Sequence, residues 1–177
     1  MDILIVVDMQ NDFVTGALGT PEAERIVPLV AGRVEEGIAR GEEILFTRDT
    51  HGPDYLATQE GKKLPVPHCI RGTEGWEIIP RLRPDTAGHS VIDKPTFASR
   101  ALGEELVRLN DAGPVRKITL IGVCTDICVL SNALLAKAFL PEAEIVVEAG
   151  CCAGVTPESH RTALEAMKAC QITVKAE

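Results

Sequence analysis

Gly122-Val123-Cys124-Thr125-Asp126-Ile127-Cys128 follows an apolar run and precedes a helical pattern, so the chain turns there from strand to helix with a thiol in the first turn. A thiolate attacks carbonyl carbon readily, and the positive end of a helix favours thiolate over thiol. Backbone N–H groups at the same turn can hold the oxyanion that such an attack produces. Free cysteines are more often small buried packing residues, so it is position rather than residue type that singles out Cys128. A redox pair with Cys124 competes with the nucleophile reading, but the C-x-x-x-C spacing departs from the C-x-x-C of thioredoxin-like sites.

Three further groups fall at comparable positions. Asp8 follows the apolar run Ile3–Val7, where burial raises a carboxylate pKa and a neighbouring ammonium lowers it, a balance suited to a general base. Lys94, in Asp93-Lys94-Pro95-Thr96-Phe97, offers that ammonium. Asp49 and His51 supply a carboxylate and an imidazole two residues apart. Alone, each is an ordinary turn or surface residue; their joint placement carries the weight.

The elements that must position them alternate regularly. Strands are expected over 3–7, 43–47, 89–93, 117–123, 144–148 and 172–175, and helices over 21–40, 99–110, 127–139 and 157–169. Strand–helix alternation implies a parallel sheet covered on both faces by right-handed crossovers. Ligands in such sheets sit beyond the carboxyl ends of the strands. Asp8, Asp49 with His51, Lys94, and Cys124 with Cys128 all follow strand ends, so an acid, an acid–imidazole pair, an amine and thiols reach one rim. The stretch from Asp49 to Ala87 is rich in proline and glycine and has little periodicity, and so long a loop in a compact domain is usually functional.

A chain of 177 residues supports one domain, expected to span residues 1–177. The formal net charge of −8 and the scattered Lys and Arg leave no footprint for nucleic acid or an anionic membrane. No apolar run approaches the length needed to cross a bilayer. The chain has no signal-like start, and its six cysteines sit in or beside apolar segments. Reduced thiols in a cytoplasmic protein are therefore expected.

Asp8-Met9-Gln10-Asn11-Asp12-Phe13, Lys94-Pro95-Thr96-Phe97 and Gly122–Val129 resemble, in order and spacing, the three signature blocks of the isochorismatase-like cysteine hydrolases. That superfamily includes nicotinamidases, N-carbamoylsarcosine amidases and ureidoacrylate-type amidohydrolases. The resemblance implies a three-layer α/β/α fold with a six-stranded parallel sheet in the order 3-2-1-4-5-6. It implies a triad of Cys128 as nucleophile, Asp8 as base and Lys94 as the group that orients and polarises the pair. It also implies a cis peptide before Cys124, with the N–H groups of Cys124 and Cys128 as the oxyanion hole. Isochorismatases proper lack the cysteine, so Cys128 argues against their vinyl-ether chemistry.

The resemblance extends to Asp49, His51 and His68, the last in Pro67-His68-Cys69, as ligands of a divalent metal. Two imidazoles and a carboxylate suit zinc, with manganese or iron as alternatives. Two departures weaken the likeness to nicotinamidases. Gly52–Ala57 lacks the further His or Ser ligand that many supply, and Leu64–Pro67 lacks the tryptophan that many place before the third ligand. Phe13 is the expected pocket wall, with Trp76 as a second candidate. The expected function is hydrolysis of a small carboxamide, nicotinamide leading, to a carboxylate and ammonia through a thioester. The alternatives are an N-carbamoyl or ureido substrate, or a catalytically idle binding member of the fold. A homo-oligomer is also expected.

Overall fold

The computed structural model describes residues 1–176. Six strands, β1 (Asp2–Val7), β2 (Glu43–Asp49), β3 (Ser90–Lys94), β4 (Lys117–Val123), β5 (Glu144–Ala153) and β6 (Thr173–Lys175), form one sheet in the order β3-β2-β1-β4-β5-β6. Every pairing is parallel. This is the sheet order that the three signature blocks imply.

Successive side chains of a strand point to opposite faces, and β1 feeds both. Ile3, Ile5 and Val7 join the core beneath α4 (Arg100–Ala112), α5 (Leu130–Phe139) and α6 (Pro157–Ala169), meeting Leu102, Leu106, Ala133, Ala136, Ala163 and Met167. Leu4 and Val6 join the opposite core with Ile26, Val30 and Val34 of α2 (Pro21–Arg40). Each fully buried aliphatic contributes roughly 1.5–3 kcal/mol, so the continuous apolar run that marks β1 also anchors it at the sheet's centre.

Helix ends are set locally. The Thr20 hydroxyl accepts from Ala23 N–H, Pro21 opens α2, and Gly41 ends it at φ 71°. Thr156 and Ser159 form a reciprocal capping pair at the start of α6.

Three regions depart from the sequence expectations. A short helix α1 (Asn11–Val14) follows β1 directly. The segment after β2 holds α3 (Gln59–Lys63) and three 3₁₀ turns, at Tyr55–Ala57, Glu74–Trp76 and Arg83–Thr86. Single bridges at His51–Ile70 and Gln10–Ile78 pin it, and Cys69, Ile78, Ile79 and Leu82 plug it into the α2 core. Finally, β5 runs to Ala153, so Cys151 and Cys152 lie inside the strand rather than after it. The β4–β5 register shifts between Leu120 and Gly122, after which Gly122 pairs with Cys152 and Val123 with Ala153.

Gly122 is where close packing and backbone conformation coincide. Its φ is 112°, and a Cβ there would stand 2.2 Å from the Val7 carbonyl oxygen. Gly122→Ala should therefore destabilise the protein by about 1–3 kcal/mol from backbone strain alone, with the clash adding to it. Urea unfolding with a midpoint indistinguishable from wild type would show that β1 and β4 tolerate separation there.

Candidate active site

The carboxyl ends of β1, β2, β3 and β4 bring the named groups together. Register places Asp49 opposite Lys94 across β2 and β3, and Val7 opposite Gly122 across β1 and β4. Asp8 and Lys94 are wholly buried, and Cys128 is nearly so. Lys94 Nζ stands 2.7 Å from Asp8 Oδ2, 3.3 Å from Cys128 Sγ and 3.2 Å from Asp49 Oδ1. It also donates to the Thr96 carbonyl.

Asp8 adopts a left-handed backbone, φ 49°, which turns the chain sharply at the strand end. Its Oδ1 accepts from the Thr47 hydroxyl at 2.7 Å, while Oδ2 faces the lysine as an ion pair and accepts no aligned hydrogen bond. Oδ2 is thus the oxygen that Thr47 does not engage. Burial raises the Asp8 pKa, and the Lys94 charge offsets this only in part. Burial also opposes the Lys94 charge, but Asp8, Cys128 and Asp49 more than compensate, so its pKa lies above that of an ordinary lysine.

The thiol differs from the sequence expectation. Burial, then the Asp8 charge, push the Cys128 pKa well up, and Lys94 pulls it down only in part. The helix start does not outweigh desolvation, so burial favours the thiol over the thiolate here. Cys128 lies in a π-helical turn, Thr125–Val129, that precedes α5, where the Cys124 carbonyl accepts from both Ile127 N–H and Val129 N–H. The Val123–Cys124 peptide is cis. The Cys124 thiol is pushed up to about 12, chiefly by burial, with the Lys94 charge opposing only in part. No two of the six cysteines are joined by a disulfide.

Beside Lys94 lies the second cluster. Asp49, His51 and His68 are all buried, and their ligand atoms lie within 4.8 Å of one another. Asp49 Oδ2 is 2.9 Å from His51 Nε2 and 3.4 Å from His68 Nε2. His68 Nδ1 meets the Val66 carbonyl at 2.8 Å, which orients the ring with Nε2 toward Asp49 and the rest of the cluster. Burial pushes Asp49 up, but hydrogen bonds from His51 and His68 and the Lys94 charge hold it well below the usual carboxylate range. This donor set fits a divalent ion by type and spacing.

Several contributors leave no mark in the sequence. Glu60 Oε1 stands 3.7 Å from His51 Nε2 and 3.8 Å from His68 Nε2, a carboxylate beside the cluster. It rides on α3, which has too few residues to show a period. Gln10, wholly buried, clasps Asp49: its Oε1 accepts from Asp49 N–H at 2.7 Å, and its Nε2 donates to the Asp49 and Trp76 carbonyls. Asn132 ties the lysine loop to the Cys128 turn, accepting from Ser99 N–H and donating to the Phe97 and Cys128 carbonyls. Its segment reads in sequence only as a small-residue packing face.

A cavity of about 590 Å³ opens onto Cys128, Asp49 and His68. Phe13 lines it, with its ring centroid 5.5 Å from that of His68. Trp76 does not line it. The indole lies under the Arg48 guanidinium at 3.4 Å and donates to the Thr50 hydroxyl, bracing the loop from outside.

Comparison with known proteins places this geometry in context. Residues 2–176 match the isochorismatase domain family. The chain is similar to the nicotinamidase/pyrazinamidase PncA of Bacillus subtilis, at 30% identity and TM-score 0.86 over 99% of each chain. It is similar to the pyrazinamidase of Pyrococcus horikoshii, solved in complex with zinc, at 29% identity and TM-score 0.82 over 99% of each chain. It is also similar to the N-carbamoylsarcosine amidase of Thermoplasma acidophilum, at 29% identity and TM-score 0.81, over 99% of this chain and 95% of that one. Among the described residues, no helix is long and apolar enough to cross a membrane.

Proposed function

The chain belongs to the isochorismatase family, and on that premise we propose that it is a cysteine-dependent amidohydrolase that converts a carboxamide to a carboxylate and ammonia. The observation that carries this is the buried contact set in which one ammonium, Lys94, reaches both the Asp8 carboxylate and the Cys128 sulfur.

Cys128 Sγ attacks the amide carbonyl as its proton passes to Asp8 Oδ2. Lys94 stays charged and offsets the negative charge as it moves between carboxylate, sulfur and carbonyl oxygen. The N–H groups of Cys124 and Cys128 receive the oxyanion. Asp8 then returns the proton to the leaving nitrogen, the C–N bond breaks, and ammonia departs from a thioester. Water enters next and gives a proton to Asp8 while its oxygen attacks the thioester. Cys128 leaves as thiolate beside Lys94 and recovers the proton. A catalytically idle protein has no need of this complete, mutually contacting set.

Asp49, His51 and His68, with Glu60 beside them, would hold a divalent ion, zinc by donor type. Such an ion supplies a Lewis-acid anchor for a donor atom of the substrate. The thiol already provides the nucleophile, so Asp49, His51 and His68 serve binding more than attack. The protein carrying His51→Ala and His68→Ala should contain far less metal than wild type by elemental analysis, and should show a raised KM more than a lowered acylation rate. Gln10→Leu, which removes the clasp on Asp49, should weaken metal affinity by about 10–100-fold. Equal metal content in wild type and the double variant would remove Asp49, His51 and His68 as a metal site.

Ammonia release across a panel of amides, including nicotinamide and one N-carbamoyl compound, with and without added Zn²⁺ or Mn²⁺, tests the proposal. Release from none of them contradicts it. Preferential turnover of the N-carbamoyl compound would move the substrate toward the chemistry of the Thermoplasma relative.

A further inference from the structure

The cavity at Cys128 is larger and more apolar than a single-ring amide requires. Its about 590 Å³ falls within the range of roughly 300–1,000 Å³ that encloses drug-sized ligands. Besides Cys128, Asp49, Glu60 and His68, its wall carries Thr20, Gln59, Lys63 and Thr96, and its apolar part is formed by Phe13, Leu18 and Ala23 from one side, Val123 and Ile127 from the nucleophile turn, and Leu64, Phe97 and Val155. The last three are 38%, 46% and 48% exposed. A protein with only 3% aromatic residues places two of its four phenylalanines on this one cavity. Large apolar side chains left in water around the mouth of a buried reactive thiol mark a surface that a ligand covers. No tryptophan or tyrosine lines the cavity to confine a flat ring.

Resting on the amidohydrolase reading, we infer that the preferred substrate is a carboxamide whose acyl group is apolar and longer than one ring, reaching from Cys128 to the rim at Phe97 and Val155. The carbonyl sits at the thiol, and the apolar body displaces water from the aliphatic wall. Phe97 and Val155 then set specificity by covering the distal part of the acyl group, and take no part in bond making.

The test is the rate of ammonia release from benzamide, 3-phenylpropanamide and 5-phenylpentanamide, with nicotinamide and acetamide alongside. The longest of these amides should exceed benzamide in kcat/KM by about tenfold or more, since each added methylene in a fitting apolar pocket is worth roughly tenfold or greater discrimination. In F97S and V155S the ratio of the two constants should fall toward one. Both side chains are about half exposed, so these variants should fold, and a ratio measured on one sample is independent of the active fraction. A flat series, or faster turnover of nicotinamide and acetamide than of the long amides, overturns this inference and leaves the amidohydrolase standing. No ammonia from any amide contradicts both. A length preference that persists unchanged in F97S and V155S also overturns it, because the rim would then not be what the acyl group meets.

Discussion

Replacing Cys128 with alanine is expected to lower ammonia release from any amide substrate by about 10⁴-fold or more, the scale on which loss of a covalent nucleophile acts. The expectation follows from the contacts of this sulfur. Among the cysteines, Cys128 is the one that combines a Lys94 Nζ contact at 3.3 Å with a carboxylate neighbour, Asp8, whose Oδ2 Thr47 does not engage. Cys124 lies in the same cavity, yet acts in this scheme through its backbone, so Cys124→Ala should cost far less. Asp8→Asn should also lose most activity, and adding it to Cys128→Ala should change little further, because groups that act as one unit are strongly non-additive. Near-wild-type turnover by Cys128→Ala, or multiplicative losses in the double variant, would separate these residues from a shared step.

Lys94→Met should damage both stability and activity. Lys94 is wholly buried between two carboxylates, Asp8 and Asp49, at 2.7 Å and 3.2 Å. Removing one partner of a buried ionic set leaves uncompensated charge and costs about 3–5 kcal/mol. Methionine fills the volume, so the loss is electrostatic rather than a cavity. Without the ammonium, burial and the Asp49 charge favour a protonated Asp8, with only the Thr47 hydrogen bond opposing, and a base already protonated cannot take a proton from sulfur. Activity should fall by about 10²–10⁴-fold, the contribution of positioned proton transfer. Adding Asp8→Asn to Lys94→Met should recover part of the stability and none of the activity. That opposite response distinguishes a catalytic charge from a structural one. Urea unfolding of Lys94→Met within about 0.5 kcal/mol of wild type would show that Asp8 and Asp49 do not depend on it.

The strands are readable in the sequence because a central parallel strand is buried on both faces and must be apolar throughout, as Ile3–Val7 is. Strand ends then locate Asp8, Asp49, Lys94 and Cys128 on one rim without any family likeness. The order of the strands is not readable that way, since apolar runs do not say which neighbour each takes; it comes from the three signature blocks. β5 reads short, ending at Glu148, because its second half, Ala149–Ala153, pairs only after a register shift against β4. Glu60 escapes sequence reasoning because α3 is too short to show a period, and Gln10 and Asn132 escape it for a shared reason. Each acts across a long sequence separation, and a buried amide that braces a distant backbone leaves no local pattern. Trp76 is a misleading pocket candidate because a lone tryptophan in a glycine- and proline-rich loop signals contact without saying with what; here it is the Arg48 guanidinium. The Cys128 pKa goes the other way from its helix-start expectation because near-complete burial and the Asp8 charge outweigh a half-charge at a helix end.

The central claim is that Cys128 becomes acylated during turnover, and intact-mass measurement after rapid acid quench of enzyme mixed with a turned-over carboxamide tests it most directly. The expected result is a mass increase equal to the acyl group less one hydrogen, located on the peptide containing Cys128, released by hydroxylamine and absent from Cys128→Ala. Ammonia release that proceeds with no adduct under any quench time, and continues in Cys128→Ala, would contradict it.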